Sequence, residues 1–192
     1  EIGEIPGVSA VQTRISADVV LDVPGMAEPA RARVLSLPAG GQPPLNRLVL
    51  RQGRWPEPDR PSEAILAEAF AEAHGLGPGD TLAAILDGRL EELTVVGVAL
   101  SPEFIYSIGP GQLVPDDRLY GIIWMGRPSL EAAFDLDGAF NDVALGLTRD
   151  ASRAAVIAEL DQLLAPYGGV GAHGRRDQIS HAFIESELDQ LR

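Results

Sequence analysis

Three histidines, His74, His173 and His181, and no cysteine make up the soft metal-ligand inventory of this chain. A zinc site wants several such ligands at helical or turn spacing. His173 and His181 lie in one stretch with Asp177 between them, and converge only if a turn folds back. Ser180 precedes His181 directly, but neighbouring helical residues point about 100° apart, so the pair cannot form a nucleophile–base hydrogen bond by itself. No Gly-x-Ser-x-Gly elbow occurs. Asp116-Asp117, Glu91-Glu92 and Glu57/Asp59 are paired acids. Acid–base work on a substrate needs two carboxylates held apart in a cleft, whereas neighbouring acids in turns are solvated. Gly169-Val170-Gly171-Ala172-His173-Gly174 spells GxGxxG. A dinucleotide site needs that motif after a strand and opening a helix, with an acid about 20 residues on. Here a helical pattern ends just before it, so it reads as a glycine-rich turn. The residue chemistry therefore gives no catalytic, cofactor-binding or metal-ligating set, and points away from an enzyme. What stands out instead is apolar. Phe104, Ile105 and Tyr106 lie between Pro102 and Gly109 in a loop. They are either core plugs or a candidate contact with a partner or substrate.

The elements that would position these residues alternate between β and α patterns. Val11, Thr13, Ile15, Ala17, Val19, Leu21 and Val23 share one parity, with polar residues on the other, broken only by Val20. This predicts one long strand with a single buried face, ended by Pro24-Gly25. A second strand is expected over 32–37, then a loop over 39–44. Arg54 to Pro61 is too proline-rich for regular structure. Ala64 to Ala67 predicts a short strand running into a helix from Glu68 to His74, closed by Gly75. Gly77-Pro78-Gly79-Asp80 is a turn. Thr81 to Leu86 and Leu93 to Leu100 read as a hairpin around Asp87-Gly88, and their offset suggests a turn longer than two residues. Trp55 and Trp124 are expected as packing anchors. Tyr120 to Met125 predicts a strand, and Leu130 to Phe134 one or two helical turns. Val143, Leu145 and Leu147 mark a strand, and Asp150 can cap a helix with the stripe Val156, Ile157, Leu160, Leu163 and Leu164. Val170 to Ala172 is a short strand candidate. Ile179, Phe183, Ile184, Leu188 and Leu191 mark a final amphipathic helix.

The chain has 192 residues and a formal net charge of −13. Such a surface repels phosphate backbones, which argues against nucleic acid as a partner. The longest apolar stretch, Leu93 to Leu100, has 8 residues, whereas a membrane-spanning helix needs about 20. The chain begins at Glu1 and ends at Arg192 inside a helical pattern, so both ends read as cuts in a longer chain. Mixed ends around a β-rich middle predict a discontinuous α+β arrangement. One α/β lobe takes 1–50 and 127–192, and a β-rich lobe of 51–126 is inserted in it.

The middle segment resembles a known family. Gly53-Arg54-Trp55-Pro56 is similar to the "GR.P" opening of the MacB-like periplasmic core domain of FtsX-like ABC transporter permeases. Ser62-Glu63-Ala64-Ile65-Leu66, then Ala71 to Leu76, then Gly79-Asp80 and Leu93-Thr94-Val95-Val96-Gly97-Val98 follow in the family's order. Physically, Gly97 inside a strand permits close backbone approach, and Glu63 offers a carboxylate to nearby backbone donors. The stretches 101–125 and 167–181 look like a subgroup described as exporters of lipoproteins or other hydrophobic molecules.

The resemblance implies an extracytoplasmic, periplasmic domain between the first two transmembrane helices, with a porter-like α/β lobe and a sabre-like β-rich one. It implies no cofactor and no catalysis on the domain itself. ATP would be hydrolysed by a separate ATP-binding subunit, and the domain would couple that cycle to export or release of a hydrophobic molecule or lipoprotein. Its partners would be the transmembrane portion of the same permease and a substrate or an extracytoplasmic partner protein. Segments 2–10 and 177–192 would continue as helices into the membrane. The alternative job in the same family is docking and activating an extracytoplasmic cell-wall hydrolase.

Overall fold

Strand β1 (Val8–Arg14) and strand β2 (Ser16–Asp22) are separated by a single residue, yet they belong to different sheets. The computed structural model describes residues 1–112 and 114–178. In it the one long strand expected from alternation is cut at Ile15. β1 pairs only with β9 (Asp142–Leu147), antiparallel. β2 pairs with β3 (Ala30–Leu37) and with β6 (Thr81–Leu86). The cut also reverses the expected burial within β1. Gln12 and Arg14 are the buried side chains there, while Val11 and Thr13 are half-buried.

Seven strands form the main body, in the order β4-β7-β5-β8-β3-β2-β6. They add β4 (Val49–Gly53), β5 (Glu63–Ala67), β7 (Arg89–Leu100) and β8 (Tyr120–Gly126) to those above. β6 also pairs with β7, so six of the seven close into a ring and β4 lies outside it along the second half of β7. The sheet is continuous across the division expected near residue 50, because β3 lies beside β8 in parallel. Alternate residues of the same strands feed two cores. Val34, Ala64, Leu66, Ile123 and Met125 join one. Leu35, Ile65, Ile122 and Trp124 join the other, with Trp55 packed on it. β5 is consequently buried at every position, as a strand covered on both faces should be.

Helix α1 (Glu68–His74) matches its sequence signal and ends at Gly75 in the left-handed region. The β6–β7 turn is shorter than expected. Asp87 and Gly88 alone make it, with φ of 46° and 77°, and Leu86 pairs with Arg89. Positive φ at both central residues is the type I′ geometry that matches strand twist. The apparent offset arose because Arg89, Glu91 and Glu92, though charged, are strand residues on an exposed stretch. α2 (Arg127–Phe134) starts earlier than its apolar residues suggest, with Pro128 near its N-terminus.

A small separate layer completes the fold. α3 (Arg153–Leu164) is capped by Ser152 rather than Asp150, and buries Val156 and Leu160 with Ile5 in a third core. Residues 170–172 form no strand. The N-terminal segment is a 3-10 turn over Ile2–Glu4 followed by β1 from Val8. Pro6, which lacks an N–H donor, sits where a helix over 2–10 would need one. The last helix expected from Ile179 lies outside the described residues.

Candidate functional site

A strand that leaves one sheet for another breaks its hydrogen-bond ladder, so its backbone groups need other partners. Here side chains supply them. Ile15 is fully buried, and its N–H donates to Ser36 Oγ at 2.9 Å. The Ser36 N–H donates back to the Ile15 carbonyl at 2.9 Å. Asn141 Oδ1 accepts the Ser16 N–H at 2.8 Å, and Asn141 Nδ2 donates to the Ser16 carbonyl at 2.9 Å. Ile15, the one residue between the two strands, therefore has both backbone groups bonded to Ser36.

Beside the crossing sits a buried charge cluster. Arg14 and Glu103 side chains are only 8% and 10% exposed. Arg14 Nη1 and Nη2 donate to the two Glu103 oxygens at 2.6 and 2.9 Å, and Arg14 Nε donates to Asp142 Oδ1 at 2.6 Å. Asn46 Nδ2 donates to Glu103 at 2.8 Å. Burial opposes the Arg14 charge, but the bonds and charges of Glu103 and then Asp142 outweigh it and hold the guanidinium more firmly protonated than usual. A cavity no larger than one water lies among Gln12, Arg14, Ser36, Asn46, Ser101 and Glu103. Two further bonds tie the same parts together. Gln12 Oε1 accepts the Leu45 N–H at 3.1 Å, and Arg175 Nη2 donates to the Pro102 carbonyl at 3.1 Å.

This cluster joins the small layer to the seven-stranded body. The layer contributes Gln12, Arg14, Asp142 and Arg175, and the body's loops contribute Leu45, Asn46, Pro102 and Glu103. The bonds across it are polar, whereas each side keeps its own apolar core. Polar interfaces between units permit relative motion far more readily than apolar ones.

The structure separates the three apolar loop residues. Phe104 turns inward, its ring centroid 6.4 Å from that of Trp124. Ile105, next to the buried Glu103 pair, is 56% exposed. Tyr106 is half-buried. Ile105 is thus the member of the trio that presents apolar surface to solvent, and the charge cluster fixes its loop from below. Sequence reading missed Arg14, Glu103, Asn46 and Asp142. Arg14 falls on the polar parity of the alternation, so the sequence pattern reads it as solvent-facing and gives no signal of its burial.

The residues that carried the family resemblance also converge. Arg54 clamps Glu63, with Arg54 Nη1 to Glu63 Oε2 at 2.7 Å, and the Glu57 N–H donates to the same oxygen at 2.9 Å. Glu63 is 3% exposed. The Arg54 bond, opposed by burial and aided by the Glu57 amide, holds its carboxyl below the usual range. A Cβ on Gly97 would lie 2.8 Å from the Arg54 carbonyl oxygen, and one on Gly53 2.0 Å from the Val96 carbonyl oxygen. The motif therefore builds the close packing of β4, β7 and β5.

The chemically suggestive residues do not assemble. His74 Nε2 is 3.0 Å from the Arg118 carbonyl oxygen and its ring packs against Phe70, while His173 is exposed in the 169–174 loop. Asp116 Oδ1 accepts the N–H groups of Arg118 and Leu119 in its own turn. Ser180 and His181 lie outside the described residues. Among the described residues no three His, Cys, Asp or Glu side chains gather as metal ligands.

No protein-family model matches the sequence, and no curated protein is significantly similar to it. Among solved structures, the chain is similar to the extracellular domain of the noncanonic ABC-type transporter YknZ from Gram-positive bacteria. That alignment has a TM-score of 0.52 at 14% identity and covers 85% of this chain and 80% of that one. The periplasmic region of MacB from Actinobacillus actinomycetemcomitans aligns over 98% of this chain and 79% of that one, at 14% identity and a TM-score of 0.48. The likeness to YknZ is one of fold. The chain has the mixed α+β architecture of an extracytoplasmic permease domain, as the resemblance of its middle segment implied.

Proposed function

We propose that this chain is the extracytoplasmic part of an ABC-transporter permease. In this reading it catalyses nothing itself. It couples ATP hydrolysis by a separate cytoplasmic subunit to export or release of a hydrophobic molecule or lipoprotein. The small layer and the seven-stranded body act as its two lobes. The observation that carries the coupling is the polar seam at Arg14, Glu103 and Asp142, set beside a strand crossing. A movement of the layer is passed through Arg14 to Glu103 and so to the 101–106 loop, where Ile105, flanked by Phe104 and Tyr106, meets substrate or partner.

The reading requires apolar segments of about 20 residues on both sides of this stretch in the complete reading frame. It also requires a separable effect in the reconstituted permease. Glu103→Gln should leave ATP turnover intact and depress export, and Ile105→Ser should depress export without changing the stability of the domain. A reading frame lacking flanking apolar segments sinks the proposal. Export that survives both substitutions removes the seam and loop from the mechanism.

A further inference from the structure

The outer face of strands β3, β2, β6 and β7 carries a row of apolar side chains that no other described residue covers. Val20 pairs with Ile85, and Ile85 pairs with Leu90. They are 36%, 41% and 71% exposed. Because the three are direct cross-strand neighbours, they form one continuous ridge perpendicular to the strands, with about 4.8 Å between successive members. Single exposed apolar residues need no explanation, but a contiguous row with a polar rim marks an interaction surface.

The rim has one dominant sign. One pleat further along, on the same face, Asp22 pairs with Ala83 and Ala83 with Glu92. Both acids are exposed, and neither has a hydrogen bond or ion pair within the described chain. Asp18, on the other side of the row, is already engaged by Arg33 at 3.2 Å. Arg31, paired with Val20, closes the row at its β3 end. The chain as a whole carries −13, so a cationic partner is drawn to it and an anionic one repelled.

We propose that this face docks a cationic amphipathic helix of a partner protein, laid across the strands. The spacings fit. Apolar side chains at positions i, i+3 or i+4 and i+7 of a helix succeed one another every 5 Å or so, close to the strand spacing under Val20, Ile85 and Leu90. Basic residues seven apart on the flank of that helix are separated by about 10.5 Å. Asp22 and Glu92, two strand steps apart, are separated by about 9.6 Å. The contact is small, in the class of weak, transient encounters. The site does not depend on the permease reading.

The test uses the purified chain and three synthetic helices. The first has a leucine stripe flanked by lysines, the second the same stripe flanked by glutamates, and the third the lysines with serines in place of leucines. Binding is followed by fluorescence anisotropy of the labelled peptide. The leucine–lysine helix should bind and the other two should not. Leu90→Ser, at an exposed position near a turn, should weaken binding by about tenfold, the value of burying one large aliphatic side chain. Asp22→Asn with Glu92→Gln should weaken it several-fold and flatten its salt dependence. Circular dichroism checks that both variants keep the fold. Equal binding of the serine or glutamate helices overturns the proposal, as does binding that neither variant changes. Either failure leaves the transport reading standing, since that is decided in the membrane.

Discussion

Replacing Arg14 by leucine should be among the more damaging single changes in this chain, and repairing it should need only a second leucine at position 103. Arg14 and Glu103 are 8% and 10% exposed, so bulk water does not solvate either charge while the seam is closed. In the Arg14→Leu variant, the Glu103 carboxylate keeps the neutral Asn46 amide as a partner but loses its cation. Removing one member of a buried pair typically costs about 3–5 kcal/mol, because the other charge is left uncompensated. Asp142 is 35% exposed, so Asp142→Asn should cost under about 1 kcal/mol. Glu103→Leu should fall between, at roughly 2–4 kcal/mol, since Arg14 retains Asp142 at 2.6 Å. The double variant Arg14→Leu/Glu103→Leu removes both charges and fills the seam, and should cost much less than the sum. Urea unfolding of the parent, the two single variants and the double variant gives the coupling directly. Additive losses would show that the two side chains do not act as a pair, and would remove the seam as a coupling element.

Three further outcomes follow from single positions. Gly53→Ala places a Cβ 2.0 Å from the Val96 carbonyl oxygen at a φ of 75°, and should cost roughly 2–4 kcal/mol in chemical denaturation; a loss under 1 kcal/mol, on the order of an ordinary surface change, would contradict the crossing geometry. Burial, opposed by Arg33 and reinforced by Asp18, pushes the Tyr120 phenol from 10.0 up to about 12. Its contribution to stability is complete below pH 10.0 and lost as pH rises towards 12, so the melting temperature should fall across that window and Tyr120→Phe should flatten the fall. The Glu63 carboxyl is held below its ordinary 4.5 by Arg54 despite its burial. Its contribution is complete above pH 4.5 and is lost as pH falls through the depressed value, so Glu63→Gln should remove part of the acid instability; an unchanged acid transition would argue against the clamp.

The local signals that came through were those in which one residue type has one physical use. Gly75 closes α1 because it alone takes the left-handed C-cap at no steric cost. Glu63 opens a strand buried at all five positions and is read correctly as a carboxylate serving nearby backbone donors. The signals that misled were those whose meaning depends on a partner distant in sequence. Alternation from Val11 to Val23 is broken only by Val20, five residues past the actual cut at Ile15, yet β1 pairs with residues 142–147 and β2 with residues 30–35. Nothing local reveals that change of partner, because Ser36 and Asn141, which satisfy the crossing, lie 21 and 125 residues away from the groups they bond.

The same dependence explains why the motif and the working seam fall in different places. Gly53, Arg54, Glu63 and Gly97 are close in sequence order and make a recognisable pattern because they hold β4, β5 and β7 together. Arg14, Glu103 and Asp142 span nearly the whole chain, and each is unremarked alone. On the proposed reading, a permease domain that moves needs both. The body must be rigid enough to transmit a displacement, which strands buried on both faces provide. The joint must be able to change partners without exposing apolar surface. A seam of hydrogen bonds around Arg14 meets that need, since each bond broken there can be replaced by water as the seam opens. If the seam were instead apolar, opening it would cost the burial free energy of each side chain exposed, at about 25 cal/mol per Å². That difference is why the proposed coupling is assigned to the charge cluster and not to the recognisable motif.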